Sequence, residues 1–373
     1  MKDLRLYIHV PFCKQRCAYC DFVTYDDKSY LMDSYFKAAG RELDLYAPVI
    51  DKSKVTSVFF GGGTPSLPDA SYISSLLQRT NASEDAEISI EVNPGTVDRS
   101  KLKDYKEAGI NRLSFGVQSF DDEMLMIMGR IHDRQTAIDN ISEAIDLGFS
   151  NISVDLIFGY PRQTYESFVK SINTALELGV RHLSCYSLKV SESTPLHRMI
   201  KNRLLPEPDD ALDREMYKGA LKILAENGFK HYEISNFAMP GYECRHNIGY
   251  WKLDEYIGIG VGAHSYYDKR RFSNTEIPGD YIRSINKYNI PEVFSEEIDQ
   301  EESMKEFVIL GLRMTRGITA RDFQDRYGVD ILNVFREQIH ESIEENLLHY
   351  SGTHYKLTEK GLDFANQAFS KFI

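Results

Sequence analysis

The chain has 373 residues, and 44 Lys and Arg stand against 56 Asp and Glu, a formal charge of −12. So acidic a chain is a poor match to a phosphate backbone, which excludes nucleic acid as its main partner. No apolar run is long enough to cross a bilayer and Met1-Lys2-Asp3 opens no apolar signal core, so the expected compartment is the reducing cytoplasm.

The first predicted element is a strand over Leu4–Val10, followed by a Pro11-Phe12 turn. Directly after it come Cys13, Cys17 and Cys20, spaced C-x3-C-x2-C. A disulfide framework is a poor reading, because the chain has five cysteines and three of them fall within eight residues. Structural zinc needs four ligands, and His9 or a distant His would have to supply the fourth. An iron–sulfur cube held by three thiolates is the other reading, and it leaves one iron open to a ligand. Tyr19 and Phe22 either dry such a site or simply pack.

Further strands are predicted near residues 55–60, 87–92, 112–117, 152–158 and 182–188. Helical periodicity falls between them, over 30–46, 99–108, 135–147 and 165–178. This alternation builds a parallel α/β sheet or barrel. Six units are too few for a closed eight-stranded barrel, so the residues alone leave an open barrel and a doubly wound sheet as alternatives. In either, chemistry collects where the strands end. Gly61-Gly62-Gly63-Thr64-Pro65 follows the second strand, and glycines there allow close backbone approach or a plain tight turn. Glu91 ends the third strand and suits ribose hydroxyls or solvent equally. Gln118 closes the fourth, Asp155 lies on the fifth, and Arg130 has the bidentate fork that grips a carboxylate.

Beyond residue 230 the pattern is less regular. His246-Asn247-Ile248-Gly249-Tyr250-Trp251 holds the single Trp. Its imidazole is either a packed core group or an iron ligand beside two aromatic faces. Cys244 precedes it, but the C-x-x-C-H haem attachment motif is incomplete. Cys185 reads as a buried small hydrophobe. Past Glu301 the chain turns helical and ends in a small hairpin and a last helix, an order that resembles a winged helix.

The cysteine loop resembles the signature of the radical S-adenosylmethionine (SAM) superfamily, and the resemblance extends over nearly the whole chain. Within it the chain is most similar to the coproporphyrinogen III oxidase-like branch and its HemW-type haem chaperones. The resemblance implies a partial (β/α)6 TIM-type barrel with a smaller, mostly helical C-terminal domain. Its expected divisions are a radical SAM core over 1–230, a connecting segment carrying the His246 string over 231–300, and the helical domain over 301–373. It further implies a [4Fe-4S] cluster on Cys13, Cys17 and Cys20 whose fourth iron is chelated by SAM. Gly62, Gly63 and Thr64 then belong to the loop at the methionine end of SAM. Tyr7, Glu91, Gln118, Arg130 and Asp155 join them in the pocket, and Lys189 borders it. In the dehydrogenase branch Gln118, Arg130 and Asp155 line a second SAM position.

The His246 string resembles a chaperone hallmark, which implies heme as ligand, haem-acceptor apoproteins as partners and peripheral contact with membrane proteins. The runner-up, oxygen-independent coproporphyrinogen III dehydrogenase, continues its cysteine motif to a position that here is Phe22. It also carries a longer extension ahead of the cluster loop. A radical SAM enzyme with some other substrate is the third reading.

Overall fold

The computed structural model describes residues 1–373. Six strands, β1 (Lys2–Val10), β2 (Ser53–Gly62), β3 (Ala82–Val92), β4 (Arg112–Gln118), β5 (Asn151–Phe158) and β6 (His182–Ser187), run parallel and lie side by side in chain order. Between them come α1 (Met32–Ile50), α2 (Ala70–Leu77), α3 (Arg99–Ala108), α4 (Asp122–Met128), α5 (Arg134–Asp146) and α6 (Tyr165–Glu177). Crossovers of one hand keep every helix on the same face as long as the strand order never reverses. Here it does not reverse, so the sheet curls over one core. That decides for the open (β/α)6 barrel and against a doubly wound sheet, which needs a reversal point.

The helix starts are written into the loops. Asp69, Asp98, Asp121, Asp133 and Thr164 each accept a bond from a backbone N–H of the first turn that follows. α3 and α4 end on Gly109 and Gly129, both in the left-handed conformation that glycine tolerates best.

Residues 231–300, read from the sequence as a connecting segment, extend the same sheet at both edges. β7 (Lys230–Glu233) and β8 (Asn236–Ala238) pair antiparallel and add to β6. β9 (Tyr256–Ile259) adds to β1 in parallel, followed by β10 (His264–Tyr267), β11 (Arg270–Asn274) and β12 (Glu292–Glu297) in antiparallel order. Beyond them lie short helices and a three-stranded sheet of β13 (Ile318–Thr319), β14 (Leu348–Tyr350) and β15 (His354–Leu357).

The barrel core and a second, C-terminal core form separate apolar clusters. The second cluster recruits Leu253 and Tyr266 from the sheet extension, so the C-terminal helices pack on the β9–β10 edge of the barrel. No helix is long and apolar enough to cross a membrane.

Candidate functional site

The cysteine loop is pinned at both ends and in the middle. Phe12, buried beneath it, meets Tyr35 edge-on at 5.3 Å. Tyr25 N–H donates to Pro11 O at 2.7 Å and Cys13 N–H to Tyr25 O at 3.0 Å, closing residues 13–25 into one loop. Ala18 N–H reaches Met128 O at 3.1 Å, and Gln15 Nε2 donates to Gly129 O at 3.1 Å. The loop therefore rests on the last turn of α4. The left-handed turn at Gly129 then aims Arg130 back at it: Nη1 donates to Cys17 Sγ at 3.3 Å. Thr64 Oγ1 donates to Cys13 Sγ at 3.6 Å. A guanidinium and a hydroxyl thus donate to two of the three sulfurs, although burial still raises the pKa of Cys13.

The three cysteines line one cavity of about 330 Å³ at the carboxyl ends of the strands. Gly62, Gly63, Glu91, Gln118, Arg130, Asp155 and Lys189 line it too. Thr64 is buried behind the wall, where Asn93 Nδ2 donates to its hydroxyl at 2.9 Å. The glycine run is forced by packing as well as by the cavity. A Cβ on Gly63 would lie 2.9 Å from Phe12 O and 3.0 Å from Cys13 Sγ; one on Gly62, whose φ is +117°, would lie 2.6 Å from His9 Nδ1. Gln118 holds a φ of +70°, a strained value for a side-chain-bearing residue, where the pairing of β4 with β5 slips by a bulge.

Glu91 accepts from Gly62 N–H at 3.1 Å, and Asp155 accepts from Ser114 at 3.2 Å. Burial raises the pKa of both carboxyls. Glu91 is pushed up to about 8, first by desolvation and then by the neighbouring Asp155. A folded-state pKa above the unfolded value means stability that is present below pH 4.5 and lost as pH rises through about 8. Each unit of such elevation is worth about 1.4 kcal/mol. Glu91→Gln should therefore gain thermal stability relative to wild type between pH 5 and 9, with the two converging below pH 4.5. Parallel melting curves across that range would refute the assignment.

Two residues expected at a ligand site lie outside this cavity. Tyr7, read as a lining residue of this cavity, instead lines the neighbouring one on the β1–β9 side, and its hydroxyl pairs with His9 Nδ1 at 3.0 Å. His246, read as a haem ligand, is 1% exposed, with both ring nitrogens engaged in this conformation. Ser57 Oγ lies 2.8 Å from Nδ1 and the Tyr250 hydroxyl 2.9 Å from Nε2. Burial, aided by Arg5 and Arg112, pushes its pKa down to about 3. It offers no free nitrogen in this conformation and serves as a core residue of the helix Arg245–Trp251. Cys244 is fully buried, its thiol pushed up to about 12 chiefly by burial, which leaves it no route to a thioether. Cys185 is buried among apolar neighbours, as read.

Asn93 was not singled out from the sequence, yet it bridges the site. It accepts from Arg130 Nη2 at 2.9 Å while donating to Thr64, so it couples the donor on Cys17 to the donor on Cys13. Its position just after β3 was the available signal.

Comparisons with known proteins match this geometry. The family model "Radical SAM superfamily" covers residues 7–175, and the model "HemN C-terminal domain" covers 298–364. "Heme chaperone HemW" of Bacillus subtilis (strain 168) is 36% identical over 372 residues, 98% of each chain. The protein of the same name from Escherichia coli (strain K12) is 34% identical, with 100% of this chain and 99% of that one aligned. Among solved structures, coproporphyrinogen III oxidase (HemN) from Escherichia coli superposes with a TM-score of 0.87 over 100% of this chain and 90% of that one, at 23% identity. That likeness shows the fold alone, whereas the full-length identity to the curated relatives settles the lineage: the chain belongs to the radical SAM superfamily and, within it, to the family of the HemW haem chaperones.

Proposed function

We propose that the protein binds haem and passes it to acceptor apoproteins, and that Cys13, Cys17 and Cys20 hold a [4Fe-4S] cluster completed by SAM. One observation carries the cluster: three thiols share a cavity wall while Arg130 and Thr64 donate to two of the sulfurs. The donor set fits a cube with one open iron, since the loop offers three thiolates and places Asp21 and Phe22 after them. The glycine cradle at Gly63 also keeps the space beside Cys13 free of side chain.

When bound, the cluster supplies a reducible centre and an open coordination site. The chain's own part is recognition. Gly62 and Gly63 let backbone approach the methionine end of SAM without a Cβ clash. Glu91 on β3 and Asp155 on β5 line the same cavity, where a carboxyl pairs with the hydroxyls of a ribose. Arg130 places a guanidinium donor on Cys17 Sγ. The haem reading rests on the shared family, whose relatives bear the name haem chaperone.

The runner-up, coproporphyrinogen dehydrogenation, shares the barrel but would place a cysteine where Phe22 stands, 63% exposed. Anaerobic reconstitution separates the two. The reconstituted protein should give a shifted Soret band on haem titration. With reductant, SAM and coproporphyrinogen it should form no protoporphyrinogen. Multiple turnovers to protoporphyrinogen would overturn the chaperone reading. SAM should perturb the EPR spectrum of the reduced cluster, and Glu91→Ala should weaken SAM by about 1–3 kcal/mol. An unchanged spectrum at saturating SAM would remove SAM from the iron.

A further inference from the structure

We infer that occupancy of the cysteine cavity is transmitted to the helix Arg245–Trp251 through Ser153, His182 and Tyr232, which act as positioning residues; this rests on the SAM reading above. The helix does not cap its own first turn, because its N-cap residue, Cys244, makes no side-chain cap bond. Barrel groups do so instead. The Tyr232 hydroxyl accepts from Cys244 N–H at 3.2 Å, and Glu87 accepts from Arg245 N–H at 3.1 Å. From Tyr232 on β7 a chain of bonds crosses the barrel interior to the cavity. The Tyr232 hydroxyl lies 2.8 Å from Nε2 of His182, which opens β6. His182 Nδ1 lies 2.7 Å from the hydroxyl of Ser153, its register partner on β5. Ser153 then donates to Asp155 Oδ1 at 3.4 Å, the two side chains sharing one face of β5. Asp155 lines the cavity, and Ser153 and His182 are buried behind it.

One arrangement of protons satisfies every link. As a carboxylate Asp155 has only lone pairs, so Ser153 spends its single hydrogen there. Ser153 must then accept from His182 Nδ1–H. Burial and the Arg112 charge keep the imidazole neutral, so Nε2 has a lone pair for the Tyr232 O–H. The Tyr232 oxygen is thereby turned to accept from Cys244 N–H. Asp155 is where a ligand breaks in. A carboxylate offers about four acceptor positions, and Ser114, Ser184 and Ser153 already draw on them. Paired ribose hydroxyls need two, so one serine must yield. Ser153, at 3.4 Å against 3.2 Å for Ser114, is held the more weakly. Its release strands the Nδ1–H of a buried ring, which must shift to find an acceptor and draws Tyr232 off Cys244 N–H. Tyr250 and Trp251 line the neighbouring cavity on the β1–β9 side, so binding in one cavity resets a wall of the other.

The test adds SAM, without reductant, to the anaerobically reconstituted full chain. It follows amide hydrogen exchange over residues 244–251 and the emission of Trp251, the one tryptophan of the chain. SAM should speed exchange there by roughly fivefold or more, while slowing it around the cysteine loop, and should shift the emission. Ser153→Ala and Tyr232→Phe should bind SAM as wild type does, read by the EPR change of the reduced cluster, yet lose both helix responses. A Tyr232 that merely props the helix would loosen it in Tyr232→Phe but leave the SAM response of Ser153→Ala intact, and that result would overturn the inference. SAM binding with unchanged exchange over 244–251 in wild type would overturn it too, while the SAM reading stands. If SAM leaves the wild-type EPR spectrum unchanged, the SAM reading fails, and this inference with it.

Discussion

Cys17→Ala is expected to abolish the cluster: the reconstituted variant should lose the broad visible absorbance and nearly all protein-bound iron, while its far-ultraviolet circular dichroism stays that of wild type. Removing one of three thiolates leaves two ligands for a cube that already has an open corner, below what holds it. Cys17 is half-buried, and its sulfur accepts from the Arg130 guanidinium. The backbone of the loop is held independently, by Ala18 on Met128 and by Tyr25 on Pro11. The fold should therefore survive a loss that empties the site. Iron retained at wild-type stoichiometry in Cys17→Ala, or in the triple variant, would sink the cluster assignment.

The largest effect on stability is expected at Glu87. This buried carboxylate of β3 accepts from Arg245 N–H at 3.1 Å and His246 N–H at 3.0 Å, the first turn of the helix Arg245–Trp251. It also faces the fully buried Arg112 on β4. Glu87→Ala strands two N–H donors and one guanidinium in the core together. Leaving a buried donor unsatisfied costs roughly 1–3 kcal/mol, and two N–H donors are left so here. Chemical denaturation should show that loss with an unchanged m-value. Because the helix carries Tyr250 and Trp251, the proposed haem affinity should fall as well, while the cysteine loop, at the carboxyl ends of the strands, should still take up iron. A destabilisation below about 1 kcal/mol would show that the Arg112 charge is compensated elsewhere.

Much of the barrel could be read from the chain, because its strands are long enough to show a β-rich run between helices. All six parallel strands lie where the runs place them, and the helix over Arg99–Ala108 matches residue for residue. The cysteine cavity was legible for the same reason: strand ends converge in a barrel, so residues far apart in sequence share one mouth. The sheet extension was not. β7 to β12 are only three to six residues each, too short for a period to emerge. The contacts of His246 have a local cause. His and Tyr spaced i, i+4 on a helix face each other, so Tyr250 consumes the very nitrogen that an iron would need. That spacing was visible in the sequence and argued against a free imidazole. The second cavity was invisible because it draws a few residues each from β1, the cluster loop, the helix Arg245–Trp251, three later strands and a C-terminal helix.

The strand order also bears on how the protein is made. β1 is an interior strand, paired with β2 on one side and with β9 on the other. Its second partner lies some 250 residues later, at Tyr256–Ile259. Until those residues leave the ribosome, the strand that leads into the cysteine loop has one bare edge carrying Leu6 and Ile8, the kind of template on which nascent chains aggregate. The loop-closing bonds of Tyr25 do not wait for β9, but the wall beside Tyr7 and His9 does. The two cavities are thus completed at different times by translation itself: the cysteine loop can close early, whereas the aromatic cavity beside Tyr7 exists only once the last third of the chain has docked.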